Sequence, residues 1–310
     1  MITYTDLKNT KLEHSAVALG KFDGLHRGHQ LLFEKLSAYK KKGLTAVIFT
    51  FDFHPASLLS GKIQQIIYSR AERHAIIESL GADVLVEFPF TKETAHMSPE
   101  DFVREILVDR IGAEAIVVGN DFHFGYKRSG DVAFLKEREE VYGYQVDHCE
   151  KLCYLGEEIS STRIRGEIAD GNMEMTTELL GRPYSISGPV VHGKENGRTI
   201  GMPTANVAVD RFKLLPPDGV YASRTLIRDD HMSCLSLTNI GTNPTVGAGN
   251  PRTIETYLLD YSGDLYDKEI ELQLYKRLRP EETFASLEEL RQQVVKDEQQ
   301  AREYFMRNPV

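Results

Sequence analysis

The chain has 310 residues, of which 41% are hydrophobic and 27% charged, and its formal net charge is −9 at pH 7. This length predicts two domains, although one large barrel is also compatible with it, and the apolar content favours folded cores over intrinsic disorder. Basic residues number 22 against 28 acidic ones up to residue 183, and 15 against 18 beyond it. Both halves are acidic, which excludes a surface for long nucleic acid because such a surface is basic. A small anionic ligand remains possible.

The chain shows no signal for a membrane or for an oxidising compartment. No run approaches the roughly 18–20 apolar residues that a membrane-spanning helix needs, and the first twenty residues lack the basic-then-apolar order of a signal peptide. The three cysteines, Cys149, Cys153 and Cys234, have no metal-ligand or disulfide spacing. We therefore expect free thiols in a reducing, cytoplasmic protein.

Strand and helix patterns alternate in the first half of the chain. Apolar runs predict strands at residues 15–22, 44–51, 84–88 and 115–119, and periodic patterns predict helices at residues 28–39, 70–80 and 98–112. Ser98 has the features of an N-cap, Pro99 follows it, and Gly112 ends that helix. Such alternation predicts a mostly parallel sheet, whose ligands bind beyond the carboxyl ends of the strands.

The pattern changes after Gly181. Strand-like runs follow one another without helices at residues 186–193, 219–227, 232–241, 253–260 and 268–279, and only residues 286–305 resemble a long amphipathic helix. Five or six short consecutive strands indicate a small antiparallel barrel. We therefore expect one domain at residues 1–183 and a second at residues 184–310.

The first candidate site lies at residues 20–29 (GKFDGLHRGH), where the first strand meets the first helix. Glycines permit a tight turn there, and the start of the helix favours an anion. His26 and His29 are three residues apart at that start, so both rings can face one phosphate. The chain has no Walker A loop and no H-E-x-x-H motif. A helix entrance with two incidental histidines is the simpler alternative.

Three later segments add candidates for the same site. Residues 51–55 (FDFHP) follow the second strand, and residues 117–131 (VVGNDFHFGYKRSGD) place Phe122, Phe124 and Tyr126 on a loop at the ligand edge. These aromatic rings suit a flat ligand, or they simply cover the core. Residues 159–165 (ISSTRIR) open another helix, whose arginines are candidates for phosphate contacts or for solvated surface charges.

These segments, in this order, resemble the adenylyltransferase half of the bacterial bifunctional riboflavin kinase/FMN adenylyltransferases, and H-x-G-H resembles the wider nucleotidylyltransferase superfamily. The resemblance implies an α/β, Rossmann-like parallel-sheet domain that transfers AMP from ATP to FMN. It places His26, His29 and Arg163 around the phosphates as catalytic residues. Lys21, Asn120 and His123 depart from the family pattern. The contacts it implies are Phe22, Asp23, Gly24, Gly28, Ser161 and Thr162 for ATP, and Asp121, Phe122, Phe124 and Gly125 for flavin.

The second candidate site combines two glycine-rich stretches, residues 188–193 (GPVVHG) and 197–206 (GRTIGMPTAN). Backbone N–H groups exposed by glycine can line a phosphate. Thr204 and Asn206 are two residues apart, so in an extended segment their oxygens face the same side, and neutral oxygens suit Mg²⁺. From composition alone, a polar turn after Pro203 is the better interpretation.

The second half resembles the riboflavin kinase domain of the same family, on PTAN, GVYAS (219–223), NIGTNPT (239–245), IETYLLD (254–260) and LRPEETF (278–284). The resemblance implies a C-terminal six-stranded antiparallel β-barrel with a terminal helix that phosphorylates riboflavin with ATP. Glu255 matches the family's general base, and Thr204 and Asn206 match its metal ligands. Met202 replaces the family's usual Phe. Further implied contacts are Gly193, Gly197 and Arg198 for phosphate, and Arg279 for flavin.

The two resemblances together predict a bifunctional enzyme that makes FMN from riboflavin and then FAD from FMN, using ATP and Mg²⁺ in each step. We expect small-molecule partners, no nucleic acid or membrane, and a monomer or weak self-association. One alternative is a nucleotidylyltransferase for another phosphate, such as pantetheine phosphate, which would need no barrel. The other is a non-catalytic flavin-binding or regulatory protein.

Overall fold

The computed structural model describes residues 1–52, 65–193, 201–228, 230–242 and 252–309. The chain forms two compact units, one of residues 1–66 and 70–161 and the other of residues 67–69 and 162–310. The second unit thus begins before the expected boundary at residues 183/184. The reason is that the helix Met173–Leu180 packs on two barrel strands, Tyr184–Val191 and Glu269–Arg279.

A six-stranded parallel sheet organises the first unit, with the strand order β1-β4-β3-β2-β5-β6. The parallel sheet expected from the alternating pattern is therefore confirmed. The two edge strands were not anticipated, because a short or polar edge strand lacks a continuous apolar run. The strands are β1 Ile2–Tyr4, β2 Ser15–Leu19, β3 Thr45–Phe51, β4 Val84–Phe88, β5 Ala113–Gly119 and β6 Gln145–Cys149.

Helices cover both faces of this sheet. The small side chains of Ala16, Ala18 and Ala46 face the first helix, and larger ones such as Val47 and Phe49 build the opposite core. A two-stranded hairpin, β7 Cys153–Tyr154 with β8 Glu157–Glu158, follows the sheet. The helices are α1 Arg27–Lys40, α2 Arg70–Ser79, α3 Lys92–Ala95, α4 Pro99–Asp101, α5 Val132–Lys136 and α6 Glu139–Tyr142, with a 3-10 turn at Tyr126–Arg128.

The helix predicted at residues 98–112 has two parts. Ser98 is its N-cap and accepts a hydrogen bond from the backbone N–H of Asp101 at 3.1 Å, as expected. From Phe102 to Val108, however, the chain forms a π-helix rather than an α-helix. Its buried residues, Phe102, Val103, Ile106 and Leu107, join the hydrophobic core on one face of the sheet. Gly112, with φ +60°, closes the segment, as the sequence predicted.

The second unit is built on a closed antiparallel barrel of six strands, in the order β10-β13-β12-β11-β14-β9. The expected six-stranded barrel is therefore confirmed. None of the helices in the described residues is long and apolar enough to cross a membrane. The strands are β9 Tyr184–Val191, β10 Thr204–Val207, β11 Gly219–Ile227, β12 Met232–Thr242, β13 Arg252–Leu258 and β14 Glu269–Arg279; the helices are α7 Ser161–Asp170, α8 Met173–Leu180 and α9 Leu287–Arg307.

Hydroxyl groups fill part of the barrel interior. Ser223 Oγ lies 2.8 Å from both Ser236 Oγ and Thr238 Oγ1, while Thr225 Oγ1 lies 2.8 Å from Ser236 Oγ. Thr238 Oγ1 also donates to Thr256 Oγ1 at 3.2 Å. All five side chains are fully buried, so this network satisfies polar groups that would otherwise destabilise the core. The terminal helix α9 covers the outside of the barrel through Ala301 and Phe305.

Candidate active sites

Two strained residues shape the turn between β2 and α1. Phe22 and Leu25 have φ values of +47° and +46°, and both side chains are completely buried. Left-handed backbone is costly for such residues and is maintained only when packing enforces it. A Cβ on Gly20 would lie 2.9 Å from the ring of Phe22, so the glycine leaves room for that ring. The turn is therefore held in one conformation ahead of the histidines.

His26 and His29 are brought together at the start of α1. His26 is the N-cap, and its Nδ1 accepts a hydrogen bond from the backbone N–H of His29 at 3.3 Å. Because Nδ1 accepts, a neutral His26 carries its proton on Nε2. The two imidazole rings stack with centroids 3.7 Å apart and planes 19° apart. The pair thus forms a single, ordered group of ring nitrogens at a helix N-terminus, where anions are favoured.

One of the charged residues at this turn is Lys21, which the sequence analysis singled out only as a departure from the family pattern. Burial around the Lys21 amine and the nearby charge of Arg128 lower the pKa of Lys21, whereas Asp23 opposes that shift. The backbone of Lys21 is fixed because its carbonyl accepts a hydrogen bond from the Thr50 hydroxyl at 3.1 Å. Two basic side chains, Lys21 and Arg128, therefore carry repelling charges beside the histidine turn. No pattern in the sequence indicated this proximity.

The loop after β5 holds the predicted flavin contacts in different environments. Phe124 packs on the core residue Phe102 and is only 8% exposed, whereas Phe122 is partly exposed and stacks on Phe124 at 5.7 Å. Asp121 forms an ion pair with Lys151 at 3.0 Å. Gly125 has φ +69°, and a Cβ there would overlap the Pro99 ring. Phe124 thus supports the core, and the flavin contacts stay predictions.

Arg163 lies in α7, which begins at Ser161. Its Nη2 lies 3.9 Å from Met175 Sδ, within the same unit. A thioether is a weak acceptor, so this contact constrains the guanidinium only weakly. Ser161 and Thr162 occupy the first turn of α7, where backbone N–H groups point away from the helix.

Strand register brings the second set of predicted residues together on the outside of the barrel. Asn206 of β10 lies opposite Glu255 of β13, and Thr204 lies opposite Tyr257. Residues that face each other in an antiparallel pair share one face, so Thr204, Asn206 and Glu255 point the same way. Thr204 Oγ1 donates to Glu255 Oε2 at 3.5 Å. The spacing of two residues therefore places the side chains of Thr204 and Asn206 on the same face, as predicted.

Gly193 lies directly against Asn206. A Cβ on Gly193 would collide with the Asn206 amide group, so the glycine is required for the position of that amide. Gly197 and Arg198 lie outside the described residues, as does most of the FDFHP segment beyond Asp52. Their predicted phosphate contacts stay predictions.

The oxygen atoms of this face suit magnesium. A hydroxyl and an amide oxygen, from Thr204 and Asn206, are hard oxygen donors of the kind Mg²⁺ takes alongside water and substrate phosphates. Among the residues that the structure describes, no group of three or more His, Cys, Asp or Glu side chains could hold a metal. A metal here would therefore depend on neutral oxygens and on substrate.

Arg279, a predicted flavin contact, binds Asp297 of the terminal helix α9. Its Nε lies 3.1 Å from both carboxylate oxygens of Asp297, and its Nη2 donates to Oδ2 at 2.9 Å. Asp297 is 1% exposed, and a buried carboxylate of this kind needs its cation. The arginine thus anchors the segment after β14 to α9.

Two residues beside the same outer face were not singled out from the sequence. Asn239 of β12 lies opposite Glu255 on the side away from Asn206, and its Nδ2 donates to Glu281 Oε1 at 3.4 Å. Both belong to segments, NIGTNPT and LRPEETF, that carry the family resemblance. The motifs were therefore the available signal, but only the register identifies Asn239, and only its hydrogen bond identifies Glu281.

The fold and the two sites define a class of protein: a nucleotidylyltransferase-type domain followed by a kinase barrel. The family model described as FAD synthetase matches residues 8–163, and the one described as riboflavin kinase matches residues 180–305. The chain belongs to the family of bifunctional riboflavin kinase/FMN adenylyltransferases, as its curated relatives also show. It is accordingly a two-activity enzyme that phosphorylates riboflavin to FMN and adenylylates FMN to FAD, with ATP as the second substrate.

Two curated relatives and one solved structure are similar to this chain over most of its length. The bifunctional riboflavin kinase/FMN adenylyltransferase of Escherichia coli (strain K12) is 37% identical over 97% of this chain and 96% of its own length. That of Listeria monocytogenes is 36% identical over 94% of this chain and 93% of its own length. A crystal structure described as a macrolide-efflux protein from Streptococcus pneumoniae is 29% identical, has a TM-score of 0.85, and covers 97% of this chain and 98% of its own.

Proposed function

We propose that the two activities are carried by separate sets of residues: His26, His29 and Arg163 for adenylyl transfer, and Glu255 with Thr204 and Asn206 for riboflavin phosphorylation. The observation that supports the kinase assignment best is the shared outer face of Thr204, Asn206 and Glu255. For the adenylyltransferase it is the stacked histidine pair at the start of α1. Residues 1–183 then correspond to the adenylyltransferase and residues 184–310 to the kinase.

In the kinase reaction Glu255 acts as the general base toward the terminal ribityl hydroxyl of riboflavin. The carboxylate accepts the hydroxyl proton while the oxygen bonds to the γ-phosphorus of ATP and the bond to ADP breaks. Thr204 and Asn206 would hold Mg²⁺, which neutralises phosphate charge when bound. Gly193 keeps the Asn206 amide in place, and phosphate contacts from Gly197 and Arg198 complete the proposal.

In the adenylyl transfer a phosphate oxygen of FMN bonds to the α-phosphorus of ATP, and the bond to the leaving pyrophosphate breaks. His26 and His29 donate to the phosphate oxygens on which negative charge develops, and Arg163 neutralises that charge. Contacts that we assign to ATP are Phe22, Asp23, Gly24, Gly28, Ser161 and Thr162. Contacts that we assign to flavin are Asp121, Phe122, Phe124 and Gly125.

One assay tests both assignments. The purified protein is incubated with riboflavin, ATP and Mg²⁺, and the flavins are separated over time. We expect FMN to appear first and FAD to follow. If neither product forms, the two assigned activities are wrong for this chain, and the non-catalytic flavin-binding alternative gains support.

Two substitutions separate the sites. His29→Ala should stop FAD formation while FMN accumulates, since a donor to the transferring phosphate is lost. Glu255→Gln should block FMN formation yet leave FAD synthesis from supplied FMN, because the amide keeps the shape but does not take a proton. Each variant carries its own control, namely the activity of the other site. An unchanged product pattern would refute the role of the residue concerned.

A further inference from the structure

Three polar side chains form a row across neighbouring strands on the outer face of the barrel. Glu255 of β13 lies at the centre, with Asn206 of β10 opposite it on one side and Asn239 of β12 opposite it on the other. Side chains in such directly opposed positions have Cβ atoms about 4.5–5.5 Å apart. A carboxylate is thus placed between two primary amides, each of which has N–H groups to donate.

A second carboxylate, that of Glu281, contacts the Asn239 amide. Asn239 Nδ2 donates to Glu281 Oε1 at 3.4 Å, and a Cβ on Gly241 would overlap the Glu281 carboxyl group. Gly241 therefore leaves the space in which this carboxylate lies. Because a carboxylate only accepts hydrogen bonds, Glu281 fixes which end of the Asn239 amide faces it.

The segment that carries Glu281 is itself held to the barrel. A Cβ on Gly219 would overlap the Arg279 carbonyl oxygen and lie 3.3 Å from Pro280 Cα, so the chain passes closely over this glycine. Arg279 ties the same segment to Asp297 through several hydrogen bonds. Glu281 is thus presented to Asn239 by a backbone fixed at two points rather than by a loose surface loop.

We propose that Asn239 is a positioning residue for Glu255, and that Glu281 holds the Asn239 amide in the orientation that directs N–H groups toward the general base. This inference rests on the proposed role of Glu255. One amide hydrogen goes to Glu281 and the other faces Glu255, which keeps the carboxylate in the rotamer that reaches the substrate hydroxyl.

The direct test replaces the donor by an acceptor of the same size. Asn239→Asp should lower kcat for FMN formation about 10- to 100-fold, the range expected for losing a hydrogen bond to a charged group. The KM for riboflavin should change much less, since Asn239 acts through Glu255 and not on the flavin. FAD synthesis from supplied FMN should be unchanged, which shows that the loss is confined to the kinase site.

A double variant separates positioning from simple stabilisation. In Asn239→Asp with Glu281→Gln, the hydrogen bond between the two side chains is rebuilt with donor and acceptor exchanged, and the net charge returns to that of the parent. The melting temperature should therefore recover. The kcat should stay low, because the group beside Glu255 still accepts and does not donate. If kcat recovers together with the melting temperature, Asn239 only stabilises the barrel and the proposal is overturned.

A matched control lies on the same barrel. Gln273 Nε2 donates to Glu271 Oε1 at 3.2 Å, so Gln273→Glu makes the same amide-to-carboxylate change beside a carboxylate on β14. Its kcat for FMN formation should equal that of the parent. An equal loss in the control would overturn the proposal, since any added charge would then suffice.

The failure of this inference is distinguishable from failure of the proposed function. If Glu255→Gln keeps full kinase activity, Glu255 is not the base, and the proposed function fails. If Glu255→Gln is inactive while Asn239→Asp retains the parental kcat, Glu255 keeps its role and only the positioning by Asn239 is wrong.

Discussion

Several glycines in the two sites occupy positions where a neighbouring functional side chain needs the space of a Cβ. Gly28 lies beside the His26 ring, and Gly193 lies beside the Asn206 amide. Gly28 lies in the first turn of α1, whereas Gly193 follows β9. The two glycines therefore share no backbone conformation that would require glycine. Their role is steric, and alanine substitutions at these positions should therefore change one activity each.

For the histidine site we predict that Gly28→Ala weakens FAD formation. A Cβ there would lie 3.2 Å from both Cε1 and Nδ1 of His26, so the ring must shift by a few tenths of an ångström and its stacking on His29 changes. A misplaced catalytic group costs rate, by up to about 100-fold for a displacement near 1 Å. We expect a smaller loss, roughly tenfold, measured as FMN consumed with ATP. FMN formation from riboflavin should be unaffected; a loss of both activities would indicate misfolding instead.

For the kinase site we predict that Gly193→Ala lowers FMN formation more severely. The added methyl group would overlap the Asn206 amide and displace it from the face it shares with Glu255. The rate should then depend on a higher Mg²⁺ concentration, which a titration of activity with Mg²⁺ measures. Gly166→Ala is the control, since a Cβ there meets nothing within 4 Å. Parental Mg²⁺ dependence in Gly193→Ala would contradict the role of Asn206 as a ligand.

Among the contacts between elements, α2 is joined to the sheet by a buried carboxylate. Glu87 of β4 is 0% exposed, and its two oxygens contact Arg70 and Arg73 at 2.5 Å each and His74 at 3.0 Å. Burial opposes ionisation, but the hydrogen bonds from His74 and the two arginines outweigh it and lower the pKa of Glu87. These contacts hold α2, whose fully buried apolar side chain is Ile77, at the carboxyl end of β4.

We predict that Glu87→Gln destabilises the first unit by about 3 kcal/mol at pH 7, as expected when a buried ion pair loses one partner. Because the folded pKa of Glu87 lies below the unfolded value of about 4.3, its contribution is present above that pH and is lost as the pH falls through the folded pKa. Urea unfolding of parent and variant at a series of pH values measures this difference. It should shrink at acid pH, and a constant difference would show that packing rather than charge is responsible.

The face on which each barrel residue lies was beyond what the strand patterns determine. In β12 leucine alternates with serine and threonine, a pattern that predicts a strand but does not say which of its two faces is turned to the interior. In the structure Leu237 faces outward beneath α9, whereas Ser236 and Thr238 face inward and join the hydroxyl network. The reason is that the terminal helix gives the outer face an apolar partner, so both faces of the strand are buried.

At the scale of the whole molecule, the two proposed sites are separate. Two variants that each lack one activity should therefore complement each other. A mixture of His29→Ala and Glu255→Gln proteins should convert riboflavin to FAD, because the first releases FMN and the second adenylylates it. The double variant in one chain should form neither product. Separation of the flavins over time measures both. If the mixture makes FMN but no FAD while each single activity is normal, FMN passes between sites only within one molecule.

Sequence patterns alone were enough to predict the two-part architecture, the parallel sheet, the barrel, the histidine pair at a helix start and the Thr204–Asn206 spacing. These follow from local periodicity, from turn chemistry and from motifs that lie within a few residues of one another. Which distant residues meet was settled by the folded chain: Asn239 with Glu255, Glu281 with Asn239, Arg279 with Asp297, and Lys21 with Arg128. Strand register places Asn239 opposite Glu255, and the burial of Asp297 on α9 fixes its contact with Arg279. All four contacts join segments that are separated in the chain, which no local pattern encodes.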